Sequence, residues 1–424
     1  MSENDNSFSQ SGQRLALEWM SHYLRHPRKV SEIREGDAEK SGGEAAARRA
    51  RRLHSACLRH LRLYREMYGP FTRRAPQPAV EAGLLLALAE VDLQGLARAP
   101  LVIDSWVGGV RQVLGPKPAG FLNAVLRRAS IELQNVREGT RSLPLPLLFS
   151  HPDWLVEHWI STFGPTQTRR LLEWNQSSPS VYASSPDGPG EDPGLETTPW
   201  PGFQRLSAGI NPVLAEKLRS GDITIRDPAT RIAVDLLCAS RPRNALDLCA
   251  SPGGKSRALL SRPDGPETVV AADLEKRLGK LRENLAPWKG RAEIRAVDLQ
   301  TLDGCPREWN ENFDAVLLDA PCSNTGVIQR KPDVKWRLTP ADLQQMPPIQ
   351  LRFLQNAARF VRPGGVLVYS TCSLERAENR EVADGFLRSP EGTGFEMTAA
   401  ISALPFKTGH DGAGGYRFIR TKDR

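Results

Sequence analysis

The fold is decided by one stretch of sequence, Ala245-Leu246-Asp247-Leu248-Cys249-Ala250-Ser251-Pro252-Gly253-Gly254-Lys255-Ser256. It begins as a short apolar strand, continues as a glycine-containing loop and leads into a helix over residues 257–261. Four more apolar stretches follow at residues 268–272, 292–297, 313–318 and 365–370, separated by helix-compatible segments. Strands that alternate with helices in this way predict an α/β domain with a parallel, doubly wound sheet.

The glycine loop lies where a doubly wound sheet binds its ligands, beyond the carboxyl end of a strand. Glycines allow close backbone approach, and the N-terminus of the following helix offers free N–H groups to an anion. The run Gly254-Lys255-Ser256 resembles the end of a phosphate loop, but Cys249 stands where that motif requires glycine, and the loop contains no G-x-G-x-x-G. The loop alone is therefore a weak signal.

Acidic residues at the ends of the next two strands strengthen it. Asp273 closes the second strand, where its carboxylate can accept hydrogen bonds from ribose hydroxyls. Asp298 closes the third, where it can accept from an adenine amino group. One acid after a strand is ordinarily a helix cap. Two at successive strand ends, after a glycine loop, favour a bound nucleoside cofactor.

Two cysteines follow the fourth and fifth strands, in Asp319-Ala320-Pro321-Cys322-Ser323 and Tyr369-Ser370-Thr371-Cys372-Ser373. A lone cysteine at a strand end is more often a small buried apolar residue than a nucleophile. Two at the same sheet edge, with Asp319 three residues before the first, favour catalytic thiols instead.

Thiols suit methylation at carbon 5 of cytosine. That carbon is too electron-poor to attack a methyl sulfonium, but addition of a thiolate at carbon 6 makes it nucleophilic. Ionising a thiol with a pKa of about 8.5 requires a nearby positive group, for which Lys255 and the cofactor's sulfonium are candidates. Asp319, protonated or sharing its proton, is the candidate acid at nitrogen 3 of the base. Cys322 is placed to assist product release.

Three motifs together resemble the Sun/Nop2 family of RNA cytosine-5 methyltransferases: residues 247–255, residues 319–327, and residues 370–374 with Glu378-Asn379 following. The resemblance implies S-adenosylmethionine as cofactor, Cys372 as the nucleophile and Cys322 as the product-release cysteine. It also implies a set of cofactor contacts: Cys249, Ala250, Ser251, Pro252, Gly253, Gly254, Lys255, Asp273, Asp298 and Asp319.

The first part of the chain is different in character, because residues 14–134 have helical spacing of apolar residues and no strand signal. Seven arginines lie on one predicted helical stretch: Arg48, Arg49, Arg51, Arg52, Arg59, Arg62 and Arg65. They either line a phosphate-binding face or form a solvated helix surface. The pattern leaves both interpretations open.

Two further segments resemble the RsmB group of bacterial 16S ribosomal RNA methyltransferases. Residues 120–128 are similar to the signature of a helical NusB-like RNA-binding fold, and residues 331–337 are similar to that group's sequence after its Asp-Ala-Pro-Cys motif. The resemblance implies an all-α NusB-like domain at 1–141, a linker and small RNA-binding subdomain at 142–230, and a Rossmann-like methyltransferase domain at 231–424. It runs from about residue 14 to the end and is weakest at 179–220.

Composition agrees with an RNA partner. The 424 residues carry 57 Lys+Arg against 49 Asp+Glu, a net charge of +8, which suits a polyanion. Six cysteines without a C-x-x-C pair, and residues 1–13 without an apolar core, indicate a cytoplasmic protein that has reduced thiols, no metal and no membrane span. We expect a monomer.

Two rival functions stay open. One is a DNA cytosine-5 methyltransferase, with its nucleophile on the fourth-strand Pro-Cys, and the other is a non-catalytic RNA-binding assembly factor.

Overall fold

The computed structural model describes residues 12–34, 43–185, 190, 192, 194–207 and 210–421. Most of the polar stretch 1–13 lies outside the described residues. The chain forms two compact units, one made of Met1–Ser177 with Ile328–Arg337 and the other of Ser178–Val327 with Leu338–Arg424. The division into functional domains after residues 141 and 230 stays a prediction.

Helices make up the first part of the described chain, and strands join them from residue 182 onward. The first part contains α1 (Gly12–Arg25), α2 (Val30–Arg34), α3 (Glu44–Arg59), α4 (Leu61–Tyr68), α5 (Pro78–Gln94), α6 (Ala99–Leu114), α7 (Pro116–Arg137), α8 (Leu145–Leu148), α9 (Asp153–Phe163) and α10 (Pro165–Gln176). The middle contains β1 (Tyr182–Ser184), β2 (Leu195–Thr197), β3 (Phe203–Leu206), α11 (Pro212–Ser220), β4 (Thr224–Ile225), α12 (Arg231–Cys238), β5 (Asn244–Leu248), α13 (Gly254–Leu260), β6 (Thr268–Asp273) and α14 (Leu278–Leu285). The last part contains β7 (Ala292–Ala296), β8 (Phe313–Asp319), α15 (Val334–Arg337), α16 (Pro340–Ala358), β9 (Val361–Thr371), α17 (Arg380–Leu387), β10 (Phe395–Ala403), α18 (Pro405–Thr408) and β11 (Ala413–Arg420). Single 3-10 turns lie at Gly69–Phe71, Leu96–Arg98, Pro228–Thr230, Glu275–Arg277, Ala286–Trp288, Arg307–Trp309, Thr325–Val327 and Pro390–Gly392.

The first unit is built around α5. Every residue from Ala82 to Val91 in this helix is buried, and all of them except Glu90 are apolar or glycine, as expected for a central helix. Helices α1, α3, α4, α6 and α7 pack around it and share its core. The predicted all-helical region is confirmed.

The seven arginines do not form one free cationic face. Four form ion pairs with acids: Arg49 with Glu90, Arg51 with Glu44, Arg62 with Asp153 and Arg65 with Glu81. Arg59 is buried, 6% exposed, and donates to the backbone oxygen of Gln329 at 2.9 Å. Arg48 and Arg52 remain exposed, so the phosphate-binding interpretation depends on these two.

Residues 328–337 complete the helical unit although they follow the Cys322 motif in sequence. Lys335 is fully buried there and its Nζ donates to the backbone oxygen of Arg59 at 2.8 Å. Trp336 Nε1 donates to the backbone oxygen of Leu58 at 2.7 Å. Gln329 Nε2 donates to Ser177 Oγ at 2.7 Å. Burial lowers the pKa of Lys335 well below its ordinary value, and the charge of Arg59 adds to the effect.

The second unit contains a seven-stranded sheet in the order β10-β11-β9-β8-β5-β6-β7. The five strands from β9 to β7 are parallel. Alternate strand residues pack against α16 and α17 on one face and against α12, α13 and α14 on the other, which confirms the doubly wound α/β fold. A separate four-stranded antiparallel sheet, β2-β3-β1-β4, precedes it.

Two strands of the large sheet were not predicted. β10 and β11 form an antiparallel hairpin, and β11 pairs antiparallel with β9. Residues of β10 alternate between half-buried and exposed along most of its length. β10 therefore lacks the continuous apolar run from which the other five strands were predicted. In the part of the chain that the structure describes, no helix is both long and apolar enough to span a membrane, and no cluster of three metal-ligating side chains occurs.

Lys335 gives a testable link between pH and stability. Because its pKa is lower in the folded chain than the ordinary value of about 10.4, the unfolded chain binds a proton that the folded chain does not. Its contribution to stability therefore rises with pH between the two pKa values. In Lys335→Met this dependence is absent, while the backbone oxygen of Arg59 still accepts from Gln176 Nε2 at 3.1 Å.

We expect the free energy of unfolding of wild type, relative to Lys335→Met, to increase from pH 7 to pH 9.5, by up to about 1.4 kcal/mol per pH unit. Urea denaturation at the two pH values measures it. Lys331→Met, which changes an exposed lysine of the same segment, is the control and should show no such trend. A difference between wild type and Lys335→Met that is independent of pH would contradict the assignment.

Candidate active site

The loop after β5 is shaped by its own backbone contacts. Cys249 adopts a left-handed conformation, with φ of 59°. The backbone N–H of Ala250 donates to the oxygen of Ala272 at 3.1 Å, and that of Gly253 donates to the oxygen of Ala250 at 2.7 Å. Gly253, with φ of 102°, is the residue before α13, and a Cβ there would lie 3.0 Å from Leu281 Cδ1. The loop therefore needs glycine at this position.

Asp273 lies against the glycine loop. Its carboxylate is 4% exposed and accepts from the backbone N–H of Ser251 at 3.0 Å and of Leu274 at 2.7 Å. Asp298 is half-buried two residues beyond the end of β7 and accepts from the backbone N–H of Gln300 at 2.8 Å. Asp273 is thus held at the loop, whereas the contact of Asp298 is that of a local turn. Their cofactor roles remain predictions.

Lys255 and Asp319 meet across the sheet edge. Lys255 Nζ donates to Asp319 Oδ2 at 2.5 Å, and Ser370 Oγ donates to Asp319 Oδ1 at 2.9 Å. Burial acts to lower the pKa of Lys255, but the charge and hydrogen bond of Asp319 outweigh it and the pKa is raised. Lys255 is therefore an ammonium ion. Asp319 links it, through Ser370, to the strand that directly precedes Cys372.

The two cysteines are in contact. Cys322 Sγ and Cys372 Sγ are 3.2 Å apart, and Cys372 Sγ lies 3.3 Å from Asn324 Oδ1. The pKa of Cys322 is raised well above its ordinary value by the hydrogen bond to Cys372 and by burial. Either sulfur can donate to the other, and the S–H of Cys372 can also donate to Asn324 Oδ1.

Close backbone packing holds the loops that carry the thiols. Gly326 N–H donates to the backbone oxygen of Cys372 at 3.0 Å, and a Cβ on Gly326 would lie 2.8 Å from that oxygen. The backbone N–H of Leu374 donates to Thr325 Oγ1 at 2.9 Å. The two loops therefore form one hydrogen-bonded body, and side chains larger than hydrogen are excluded at residue 326.

Sequence reasoning missed Asp247, which is fully buried in β5. Its Oδ2 accepts from Ser256 Oγ at 2.5 Å, and its Oδ1 has no hydrogen-bond partner among the described residues. Burial raises the pKa of Asp247 to about 7. A carboxylate within the apolar run Ala245-Leu246-Asp247-Leu248 was the available signal, because a buried acid without a full set of partners is costly.

Sequence comparison with known proteins identifies the family of this chain. Residues 236–413 match the model described as 16S rRNA methyltransferase RsmB/F. The ribosomal RNA small subunit methyltransferase B of Yersinia enterocolitica is 31% identical over 314 residues, 70% of this chain and 71% of that protein. The protein of the same name from Vibrio cholerae is 32% identical over 310 residues, 69% and 70% of the two chains. The chain belongs to the RsmB/F family.

Solved structures agree on the fold. The crystal structure of PH0851 has a TM-score of 0.73 and 19% identity, covering 97% of this chain and 99% of that one. NSun6 from Pyrococcus horikoshii with SFG has a TM-score of 0.53 and 16% identity, covering 64% of this chain and 99% of that one. As an RsmB/F member the chain is a methyltransferase that uses S-adenosylmethionine, so the resemblance found in the three motifs is confirmed.

The site fits a cationic nucleoside cofactor. Three carboxylates, Asp247, Asp273 and Asp319, surround the glycine loop, and the pKa of Asp247 is raised further by the charges of the other two after the effect of burial. Two cations oppose them: Lys255 pairs with Asp319, and Arg277 lies 3.7 Å from Asp273. Asp247 Oδ1 has no hydrogen-bond partner among the described residues, so a positive group or a hydrogen-bond donor bound near it would be favourable.

Cofactor binding should therefore depend on pH through Asp247. A cation entering the loop favours the ionised carboxylate, so binding at pH 6 must release a proton that binding at pH 8 does not. We expect the affinity for S-adenosylmethionine to rise from pH 6 to pH 8, and Asp247→Asn to reduce the rise. Isothermal titration calorimetry in two buffers of different ionisation enthalpy counts the protons released.

Asp303→Asn, which changes an exposed acid of the same unit, is the control and should behave as wild type. S-adenosylhomocysteine lacks the sulfonium charge and should release fewer protons than S-adenosylmethionine. Equal proton release by wild type and Asp247→Asn would show that Asp247 does not respond to the cofactor.

Proposed function

We propose that this protein transfers a methyl group from S-adenosylmethionine to carbon 5 of a cytosine in RNA, with 16S ribosomal RNA as its substrate. The observation that carries the proposal is the contact of Cys322 and Cys372, 3.2 Å apart at the sheet edge where Lys255 and Asp319 pair. The name shared by the relatives, ribosomal RNA small subunit methyltransferase B, supports the choice of RNA.

Cys372 is the proposed nucleophile. An electron pair of its thiolate forms the bond to carbon 6, and the electrons of the carbon 5–carbon 6 double bond become available for methylation. The charge of Lys255 stabilises the thiolate, since the ammonium and Cys372 interact electrostatically. The cofactor supplies the methyl group. Solvent water takes the proton from carbon 5, and the electrons of that carbon–hydrogen bond restore the carbon 5–carbon 6 double bond and expel the thiolate.

Asp319 is the proposed partner of nitrogen 3 of the base. As the thiolate adds, nitrogen 3 gains basicity and needs a proton. Asp319 accepts a hydrogen bond from the Lys255 ammonium, so a proton shared between the two groups can pass through the carboxylate to the base. The reverse transfer accompanies expulsion of the thiolate. The sequence predicted that Asp319 acts either as a protonated acid or by sharing a proton, and this step uses the second form.

Cys322 is proposed to assist release. Its raised pKa keeps it a thiol, and its S–H can donate to the Cys372 sulfur as the bond to carbon 6 breaks. The same property disfavours the DNA-type arrangement, in which Cys322 would have to ionise and attack. We further propose that the helical unit and the small β1–β4 sheet bind the RNA. Among the exposed arginines of α3, Arg49 pairs with Glu90, whereas Arg48 and Arg52 form no ion pair with a described residue and are available for phosphate contacts.

Cys372→Ala tests the nucleophile and the function together. Because no adduct forms without this sulfur, we expect loss of product with S-adenosylmethionine binding retained. Bisulfite mapping of 16S ribosomal RNA from cells that contain wild type, Cys372→Ala or no protein measures the product. Cys305→Ala removes another half-buried thiol of the same unit and should methylate as wild type. Near-normal methylation by Cys372→Ala would overturn the assignment.

Cys322→Ala separates the two thiols. The adduct and the methyl transfer need only Cys372, so the variant should react and then stall before release. We expect a denaturation-resistant protein–RNA complex on a gel with Cys322→Ala, and none with Cys372→Ala or the double variant. A complex seen with Cys372→Ala instead would reverse the two roles and favour the DNA-type mechanism.

A further inference from the structure

Glu378 is a buried carboxylate in the turn between Cys372 and α17. The whole Glu378 residue is buried, with 0% of its surface exposed. Oε2 accepts from the backbone N–H of Ser323 at 2.9 Å and from Gln350 Nε2 at 2.8 Å. Oε1 accepts from Ser373 Oγ at 2.7 Å and from Ser323 Oγ. Two N–H donors on one oxygen identify that oxygen as an acceptor.

The donors come from both thiol loops. Ser323 directly follows Cys322, and Ser373 directly follows Cys372, so one carboxylate binds the neighbours of both sulfurs. Gln350 of α16 also donates to the backbone oxygen of Pro321 at 2.9 Å, which ties a third element to the same loop. The backbone oxygen of Glu378 in turn accepts from the hydroxyl of Tyr369 at 2.6 Å. Glu378 is therefore fixed on both sides.

The charge of Glu378 is not neutralised locally. Within the described ranges no lysine, arginine or histidine forms an ion pair with it. Its negative charge contributes to the raised pKa of Cys322, after the hydrogen bond to Cys372, burial and the electrostatic interaction with Cys372. The other titratable group packed near Cys322 is Tyr369, whose own pKa is raised by burial and then by Cys322. Cys372 interacts electrostatically with the positive Lys255.

We propose that Glu378 is a positioning residue that fixes the spacing of the two thiol loops and, by its charge, makes Cys322 the thiol that stays protonated. The inference rests on the proposed function and adds the reason why two adjacent cysteines take different roles. A negative charge disfavours a second negative charge nearby. The nucleophile is thus selected by opposite charges on the two sides of the pair, Glu378 beside Cys322 and Lys255 beside Cys372.

Two variants separate charge from geometry. Glu378→Gln removes the charge and keeps the length; the hydroxyls of Ser323 and Ser373 can reverse to accept from the new amide, so the hydrogen bonds can be kept. Glu378→Asp keeps the charge and shortens the side chain by one methylene. Glu381→Gln removes a charge from an exposed position of α17 and is the matched control.

The readout is the rate at which each cysteine is alkylated by iodoacetamide as a function of pH, measured by peptide mass spectrometry on the full-length protein without RNA. We expect Glu378→Gln to move the alkylation midpoint of Cys322 downward, because a like charge near the thiol is removed. Glu381→Gln should leave that midpoint in place, and Glu378→Asp, which keeps the charge, should move it less than Glu378→Gln does. Because no RNA or turnover is involved, the result is independent of whether the substrate assignment is correct.

Turnover then tests the geometric part. Glu378→Asp should lower kcat with little change in KM for RNA, because the sulfurs lose their fixed spacing while the RNA-binding surface is untouched. An unchanged Cys322 midpoint in folded Glu378→Gln would overturn the electrostatic role. If Glu378→Gln does not fold, Glu378→Asp is compared with wild-type Glu378 in the Cys372→Ala background, where the sulfur–sulfur contact is absent; a downward shift of the Cys322 midpoint there, with the charge kept, would overturn it instead. Wild-type kcat in Glu378→Asp would overturn the positioning role.

Discussion

The hydrogen bonds between the loop after β8 and the loop after β9 are the contacts on which the rest of the site depends. Parallel strands end at the same edge of a sheet, which brings two segments some fifty residues apart into register. Hydrogen bonds of Gly326, Thr325 and Glu378 between the two loops then hold the two sulfurs at one distance from each other. Without them, strand topology would place the thiols near each other but not in contact.

The charges around this edge are distributed unevenly, and the chemistry follows from that. Acids surround the glycine loop, where a cationic cofactor fits, and Lys255 is paired with Asp319 next to the nucleophile. Such pairs are costly to bury unless their remaining hydrogen-bonding capacity is used. In this site Ser370 uses the second oxygen of Asp319. The hydrogen bonds that stabilise this buried pair therefore also fix the positions of Lys255 and Asp319.

The sequence was sufficient for the five parallel strands, the glycine loop and both cysteines, because each appears as a local pattern: an apolar run or a motif at a strand end. It was not sufficient for features that need partners distant in the chain. The acids that pair with Arg49 and Arg62 lie 41 and 91 residues away. Glu378 was visible as part of a motif, but its donors come from Ser323 and Gln350. β10 and β11 were missed because a half-exposed hairpin lacks continuous apolar runs.

The return of residues 328–337 to the helical unit has a consequence for biosynthesis. A chain emerges from the ribosome in sequence order, and domains that are contiguous can fold as they appear. The helical unit cannot do so completely, because Lys335 and Trp336, which donate to the backbone carbonyls of Arg59 and Leu58, are synthesised after the first four strands of the large sheet. The nascent helices must wait, partly assembled, for a ten-residue segment that arrives more than 150 residues later.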